Sequence, residues 1–163
     1  MAYHPLKIIP VFCFTLFICL TGCDAPAPPG QTTQSVDLNG RQFTLELALD
    51  DDARFQGLSD RSEIAPDGGM LFVFPDSDIR TFVMRRCPVP IDIVFLGANG
   101  RVVAMHAMQV EPHPTREASL KHYSSQYPAQ FAIELAGGTL QTLQIDLGQP
   151  LKLPMKALKA RAR

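Results

Sequence analysis

Tryptophan is absent from the 163 residues, so ten phenylalanines and three tyrosines carry the whole aromatic complement. Cysteine is scarce. Of four, Cys13, Cys19 and Cys23 fall in the first 23 positions, and Cys87 stands alone beyond them. No internal disulfide can therefore staple the body of the chain. Positive charge is scarce too: residues 24–151 hold 9 Lys and Arg against 16 Asp and Glu, a net of −7. That balance argues against nucleic acid as a partner. No apolar run reaches the roughly twenty residues that a bilayer span needs. There is no Gly-x-Ser-x-Gly elbow, and Gly68-Gly69 and Gly137-Gly138 are turn pairs rather than phosphate loops. Internal repeats are missing. What remains is a chain long enough for one domain with a modest core.

The first residues read as a leader rather than as fold. His4 and Lys7 form a short positive end, and residues 8–20 are a near-continuous apolar run of thirteen. This is the pattern of an export signal. The run ends in Leu20-Thr21-Gly22-Cys23, which resembles the lipobox of bacterial lipoproteins. The resemblance implies that residues 1–22 are removed and that Cys23 carries a diacylglyceryl group. Attached acyl chains would tether the protein to a membrane. Asp24 directly after the cysteine resembles an inner-membrane retention signal. It implies the periplasmic face of the inner membrane over the outer membrane. Proline, glycine and small polar residues follow, so residues 23–35 are expected to be a flexible tether. Residues 152–163 hold five basic residues and no acid, and 154–163 are expected to form a basic tail.

Residues 36–153 are expected to fold as one mainly β domain. The organising stretch is 69–103. It holds three apolar runs in succession, and the Asn99-Gly100 pair is a strong hairpin signal. Residues 41–49 alternate with period two: Phe43, Leu45, Leu47 and Leu49 face one way. Asp50, Asp51 and Asp52 end that strand and suit the start of a short helix. They lack the spaced ligands of a calcium loop. Residues 70–74, 80–84, 91–96, 101–110 and 129–135 read as further strands, and 148–153 as a segment that closes the sheet. In 91–96, Ile91, Ile93 and Phe95 face opposite to Asp92, Val94 and Leu96. The expected architecture is a single compact antiparallel or mixed sheet, curled as a partial barrel, with short helical inserts.

The motifs in this body resemble the DUF192 (UPF0127) family. Arg54, Gly57-Leu58 and Arg61 are similar to its early Arg, Gly-Leu, Arg pattern, and 69–74 to its Gly-Met-Leu-Phe run. Thr81 to Cys87 followed by Val89-Pro90-Ile91-Asp92-Ile93 resembles its central motif, and Tyr127-Pro128-Ala129 with Ile133-Glu134-Leu135-Ala136-Gly137 its last. The likeness runs over about residues 38–153. It departs in two places. Val83 stands where the family usually has tryptophan, Arg85-Arg86-Cys87 stands where it has Lys-Asn-Thr, and Cys87 thus sits at a threonine-like position. The resemblance implies a β-rich, often exported domain without an assigned activity.

For chemistry, the candidate ligand-binding residues are Arg54, Arg61, Met84, Arg85, Asp92 and Glu134. Arginine forks pair with carboxylate or phosphate, methionine adapts to irregular surfaces, and acids within apolar strands need partners. His106, His113, His122 and Glu111 lack the spacing of a metal site. Cys87 with a histidine would make a thiol–imidazole pair, on no stronger footing than composition. No metal or cofactor is expected. The leading expectation is a membrane-tethered envelope protein that binds a small anionic or glycan ligand, or an envelope protein, without catalysis. Two alternatives stand beside it: an envelope hydrolase or transferase using Asp92 or Glu134, and a structural component of an envelope complex.

Overall fold

A computed structural model describes residues 1, 32–112 and 116–163 of the chain. The expected leader after Met1, the expected lipidation site Cys23 and most of the expected tether lie outside the described residues, as does His113. Among the described residues lie eight strands, three short α-helices and a 3-10 turn at Glu117–Ser119. The strands and α-helices are β1 (Thr33–Leu38), β2 (Arg41–Ala48), α1 (Asp51–Gln56), β3 (Met70–Asp78), β4 (Thr81–Phe82), β5 (Ile91–Leu96), β6 (Val102–Met108), β7 (Tyr123–Ser124), β8 (Ala129–Ala136), α2 (Thr139–Leu143) and α3 (Met155–Lys159). Six strands form one sheet in the order β1-β2-β3-β8-β5-β6, and β4 pairs with β7 beside it. All pairs are antiparallel except β2 with β3, a parallel pair joined through α1.

The strand-rich body was expected to curl into a partial barrel. Instead the sheet is open: β1 and β6 are its two ends and do not pair with each other. The physical reason is that the central strands are apolar on both faces. β5 is buried at every position, and β8 at all but its last. Alternate side chains therefore need a cover on each side. One face packs Phe43, Leu45, Leu71, Val94, Phe131 and Ile133 against Leu143, Ile145, Leu151 and Leu158 of the C-terminal segment. The other packs Phe72, Ile91, Ile93, Phe95 and Ala132 against Leu58, Met84, Cys87 and Tyr123. A sheet sandwiched between two covers has no interior to enclose.

Local chemistry explains the smaller departures. The apolar run before Arg85 is strand only at Thr81–Phe82, and Arg86 turns the chain with a left-handed φ of 49°. The segment expected to close the sheet makes a single bridge, Arg101 with Pro150. A proline has no N–H with which to extend a ladder. Residues 33–35 of the expected tether pair in β1. The basic tail carries α3, whose Leu158 is wholly buried, and the Arg163 N–H donates to the Leu49 carbonyl at 2.8 Å. The Asn99-Gly100 turn does join β5 to β6, with Gly100 at φ 75°.

Candidate functional site

Strand alternation decides which candidates can meet. Glu134 lies opposite Ile93 and Met70, and Asp92 lies opposite Leu135. These are neighbouring positions in the ladder, so the two acids project from opposite faces of the sheet. On the first face Asp92, only 2% exposed, accepts from the Leu140 N–H at 2.7 Å. Burial raises its pKa, while the N–H groups of Leu140, Gly138 and Thr139 pull it back down. Gly138 supplies no side-chain cap to α2, so a carboxylate from β5 caps that helix. Asp92 is a structural group. Asp92→Ala leaves these donors unmet and is expected to cost about 1–3 kcal/mol in chemical denaturation; an unchanged midpoint would show that the donors are satisfied without it.

On the second face, α1, the turn after it and the loop around β4 leave a cleft of about 880 Å³. Asp50 starts α1 by accepting from the Ala53 N–H at 2.9 Å, and Gly57 ends it with φ 51°. That turn brings the chain back over Phe72 and Glu134, where a Cβ on Gly57 would sit 3.3 Å from the Phe72 ring and 3.7 Å from Glu134 Oε2. Phe72, Glu134 and Cys87 form the buried floor, and Phe55, Phe74 and Phe82 stand in the walls. Phe82 fixes the aromatic group, meeting Phe72 edge-on at 4.9 Å and Phe95 at 5.4 Å.

Three guanidinium groups line this cleft. Arg54 donates to the Val73 carbonyl, to Asp51 and to the Arg163 carbonyl at 2.8, 2.7 and 2.6 Å. Arg80 donates to the Ala129 carbonyl at 3.3 Å and to Asp76 Oδ1 at 2.6 Å. Both stack on Phe74, at 5.5 and 4.1 Å from its ring centre. Arg85 lies 3.7 Å over the Phe55 ring and donates to Glu117 at 2.8 Å and to the Phe55 carbonyl. Its Nε is buried and has no hydrogen-bond partner.

Glu134 is the unusual group. It is 5% exposed, and its Oε2 is buried with no hydrogen-bond partner. Burial pushes its carboxyl up to about 8, with the Leu58 N–H offsetting part of that rise. At neutral pH it is largely a neutral acid that carries a proton to donate. Cys87, close enough to feel both Glu134 and Arg85, is pushed up to about 11, chiefly by burial. Its Sγ donates to the Arg85 carbonyl at 3.4 Å. It is an inert thiol rather than a thiolate nucleophile.

Of the sequence candidates, the cleft brings together Arg54, Arg85 and Glu134. Arg61 lies elsewhere, in a bidentate pair with Glu46 at 2.7 and 2.8 Å, and Met84 is 2% exposed within the core. Sequence reasoning missed Arg80, Phe55, Phe74 and Phe82. The available signal was an arginine two residues from Phe82 and a large apolar side chain, Phe55, on a helix otherwise polar and small. Among the described residues no group of three His, Cys, Asp or Glu side chains is placed to hold a metal ion. His106 instead hydrogen-bonds the Ser124 carbonyl at 2.7 Å through Nε2.

Residues 34–153 match the DUF192 family, described as an uncharacterized ACR. No curated protein matches the chain. Two crystal structures share the fold. One is a Sinorhizobium meliloti protein provisionally assigned as a transcription regulator: 32% identical, TM-score 0.62, covering 74% of this chain and 90% of that one. The other is a Novosphingobium aromaticivorans protein of unknown function: 28% identical, TM-score 0.62, covering 74% of this chain and 82% of that one.

Proposed function

This chain belongs to the DUF192 family, and we propose that it is a binding domain, held at a membrane by lipid on Cys23, whose cleft takes a small ligand. The observation that carries the reading is Glu134. A buried acid with an unpartnered oxygen is costly to the fold, and here it sits at the floor of an open cleft among aromatic rings. A bound molecule would supply the missing partner. The ligand classes that suit the walls are a small anion or a glycan; an envelope protein could present either chemistry on a side chain or attached sugar. The assignment of the Sinorhizobium protein belongs to that protein; here residues 32–163 hold 14 Lys and Arg against 15 Asp and Glu, without the basic surplus that favours DNA.

The lipid tether rests on the leader and its Leu20-Thr21-Gly22-Cys23 box. The tether would place the domain on the periplasmic face of the inner membrane. Among the described residues no helix is long and apolar enough to cross a membrane. Cys23→Ser is expected to abolish lipid labelling and release the protein from the membrane fraction. Tight association of that variant, with the leader removed, would reject the tether.

One feature favours an enzyme as the second reading. A carboxyl titrating near 8 in a cleft has the properties of a general acid. Asp92 faces the other side of the sheet, however, and Cys87 stays protonated, so a second group for such chemistry would have to come from Glu117 or His122, which line the same cleft. Screening a fragment library against residues 32–163 by amide shifts, with Glu134→Leu as control, tests the binding reading. That segment contains every described strand and both packed faces. Hits should move the amides of residues 57–59 in the parent and not in the variant. A screen with no cleft-directed hit rejects the reading.

A further inference from the structure

We infer that the cleft selects an oxygen-rich carboxylic acid of the sugar-acid class, its carboxylate on Arg85 and a hydroxyl or ring oxygen on Glu134. The inference rests on the small-ligand reading above and names the ligand. Two buried polar atoms of the cleft have no partner, Arg85 Nε and Glu134 Oε2. Nε–H can only donate. Glu134, held protonated by burial, also has a hydrogen to donate and no acceptor for it. Arg85 Nε therefore requires an acceptor oxygen, and the Glu134 hydroxyl can use one as well.

The arginines set the charge of the ligand. Arg54 and Arg80 are anchored by bonds to the Val73, Arg163 and Ala129 carbonyls and to Asp51 and Asp76. Of these three arginines, Arg85 is the one whose unpartnered N–H is buried, on a side chain only 16% exposed. Asp51, Asp76 and Glu117 already offset the charges of Arg54, Arg80 and Arg85, so the cleft has little surplus positive charge and suits the single charge of a carboxylate better than the higher charge of a phosphate. The second unmet donor sits on the floor at Glu134, so the ligand needs another oxygen away from its carboxylate. That excludes simple apolar acids. Phe82 in the wall and Ile79, 55% exposed at the mouth, offer apolar surface to the C–H face of a sugar ring. A volume of about 880 Å³ leaves room for more than one ring, so the acid is either free or part of a polyuronate.

Titration of residues 32–163 with galacturonate, galactose, benzoate and trigalacturonate tests this, read by amide shifts. Galacturonate is expected to bind about tenfold more tightly than galactose, which lacks the charge, or benzoate, which lacks the second oxygen. Arg85→Lys keeps the charge and removes Nε–H. It should weaken galacturonate about tenfold and leave galactose unchanged. Glu134→Gln keeps a donor and should retain binding, whereas Glu134→Leu should weaken both sugars. Tighter binding of trigalacturonate identifies a polymer as the source, and equal binding a free acid; either supports the inference. Galactose or benzoate binding as well as galacturonate, or an Arg85→Lys variant that binds normally, overturns the ligand class and leaves the small-ligand reading standing. Silence from all four probes, with fragment hits present in the cleft, does the same. Silence from probes and fragments together removes both.

Discussion

Glu134→Gln is expected to make the protein more stable at pH 9 than its parent and to flatten the fall of stability on going there from pH 4. The cause is linkage. An ordinary glutamate ionises near 4.5, whereas the Glu134 carboxyl in the folded chain holds its proton up to about 8. Between those values the folded state binds more protons than the unfolded state, so raising the pH favours unfolding. Below the unfolded value there is no penalty; above about 8 it is complete. The two pKa values correspond to a penalty on the order of 3–5 kcal/mol. Glutamine has the shape of the protonated acid and cannot ionise, so the penalty disappears. Glu46, Asp60 and Asp76, each held low mainly by a hydrogen bond from its arginine, act at more acid pH and in the opposite sense. Asp92 shifts upward like Glu134, yet it is common to both proteins and cancels in the difference. Chemical denaturation of the pair from pH 4 to 9 gives that difference directly. Parallel curves would mean that Glu134 is ionised and solvated in the folded chain, and the neutral donor in the cleft would be lost with it.

The strands were legible where one local rule sufficed. The alternation of Phe43, Leu45 and Leu47 announces β2, and an apolar run ending in Asn99-Gly100 announces the β5–β6 hairpin. The opposite orientation of Asp92 and Ile93 was readable from period two alone. What could not be read was pairing between distant strands. Placing Asp92 beside Leu135 and Glu134 beside Ile93 separates the two acids across the sheet, and no local pattern in either strand states that register. The barrel expectation failed for the same reason: apolar runs signal burial but not whether one cover or two provides it. In the cleft, Arg54 stood out through the family's Arg, Gly-Leu, Arg pattern, and Arg85 and Glu134 as charges beside apolar runs. Phe74 and Phe82 did not, because a wall phenylalanine and a core phenylalanine look alike in sequence. Only the packing of α1 and the β4 loop against the sheet distinguishes them.

Gly69→Ala should be the most damaging single-methyl change near the site, and its effect should reach Glu134 through the backbone. Gly69 immediately precedes β3 with φ 141°, and its carbonyl accepts from the Glu46 N–H at 2.9 Å. A Cβ there would lie 2.2 Å from the Glu134 carbonyl oxygen and 3.2 Å from both Leu135 and Leu45. The first contact is with backbone, so no rotamer change relieves it. Either β8 moves away or Gly69 leaves a conformation that side-chain-bearing residues rarely adopt. Strain at that φ and overpacking of the core each cost a few kcal/mol, which sets the expected loss at about 4 kcal/mol. By contrast, Gly40 has nothing within 4 Å of its Cβ and a φ of 84°, so Gly40→Ala carries the backbone strain without the collision and should cost about 1–2 kcal/mol. Thermal or denaturant unfolding of the two variants separates the terms. If both lose the same stability, the close approach of Gly69 to β8 does not constrain the fold. If Gly69→Ala loses far more and its surviving folded fraction no longer binds in the cleft, the β2–β3 junction sets the position of Glu134.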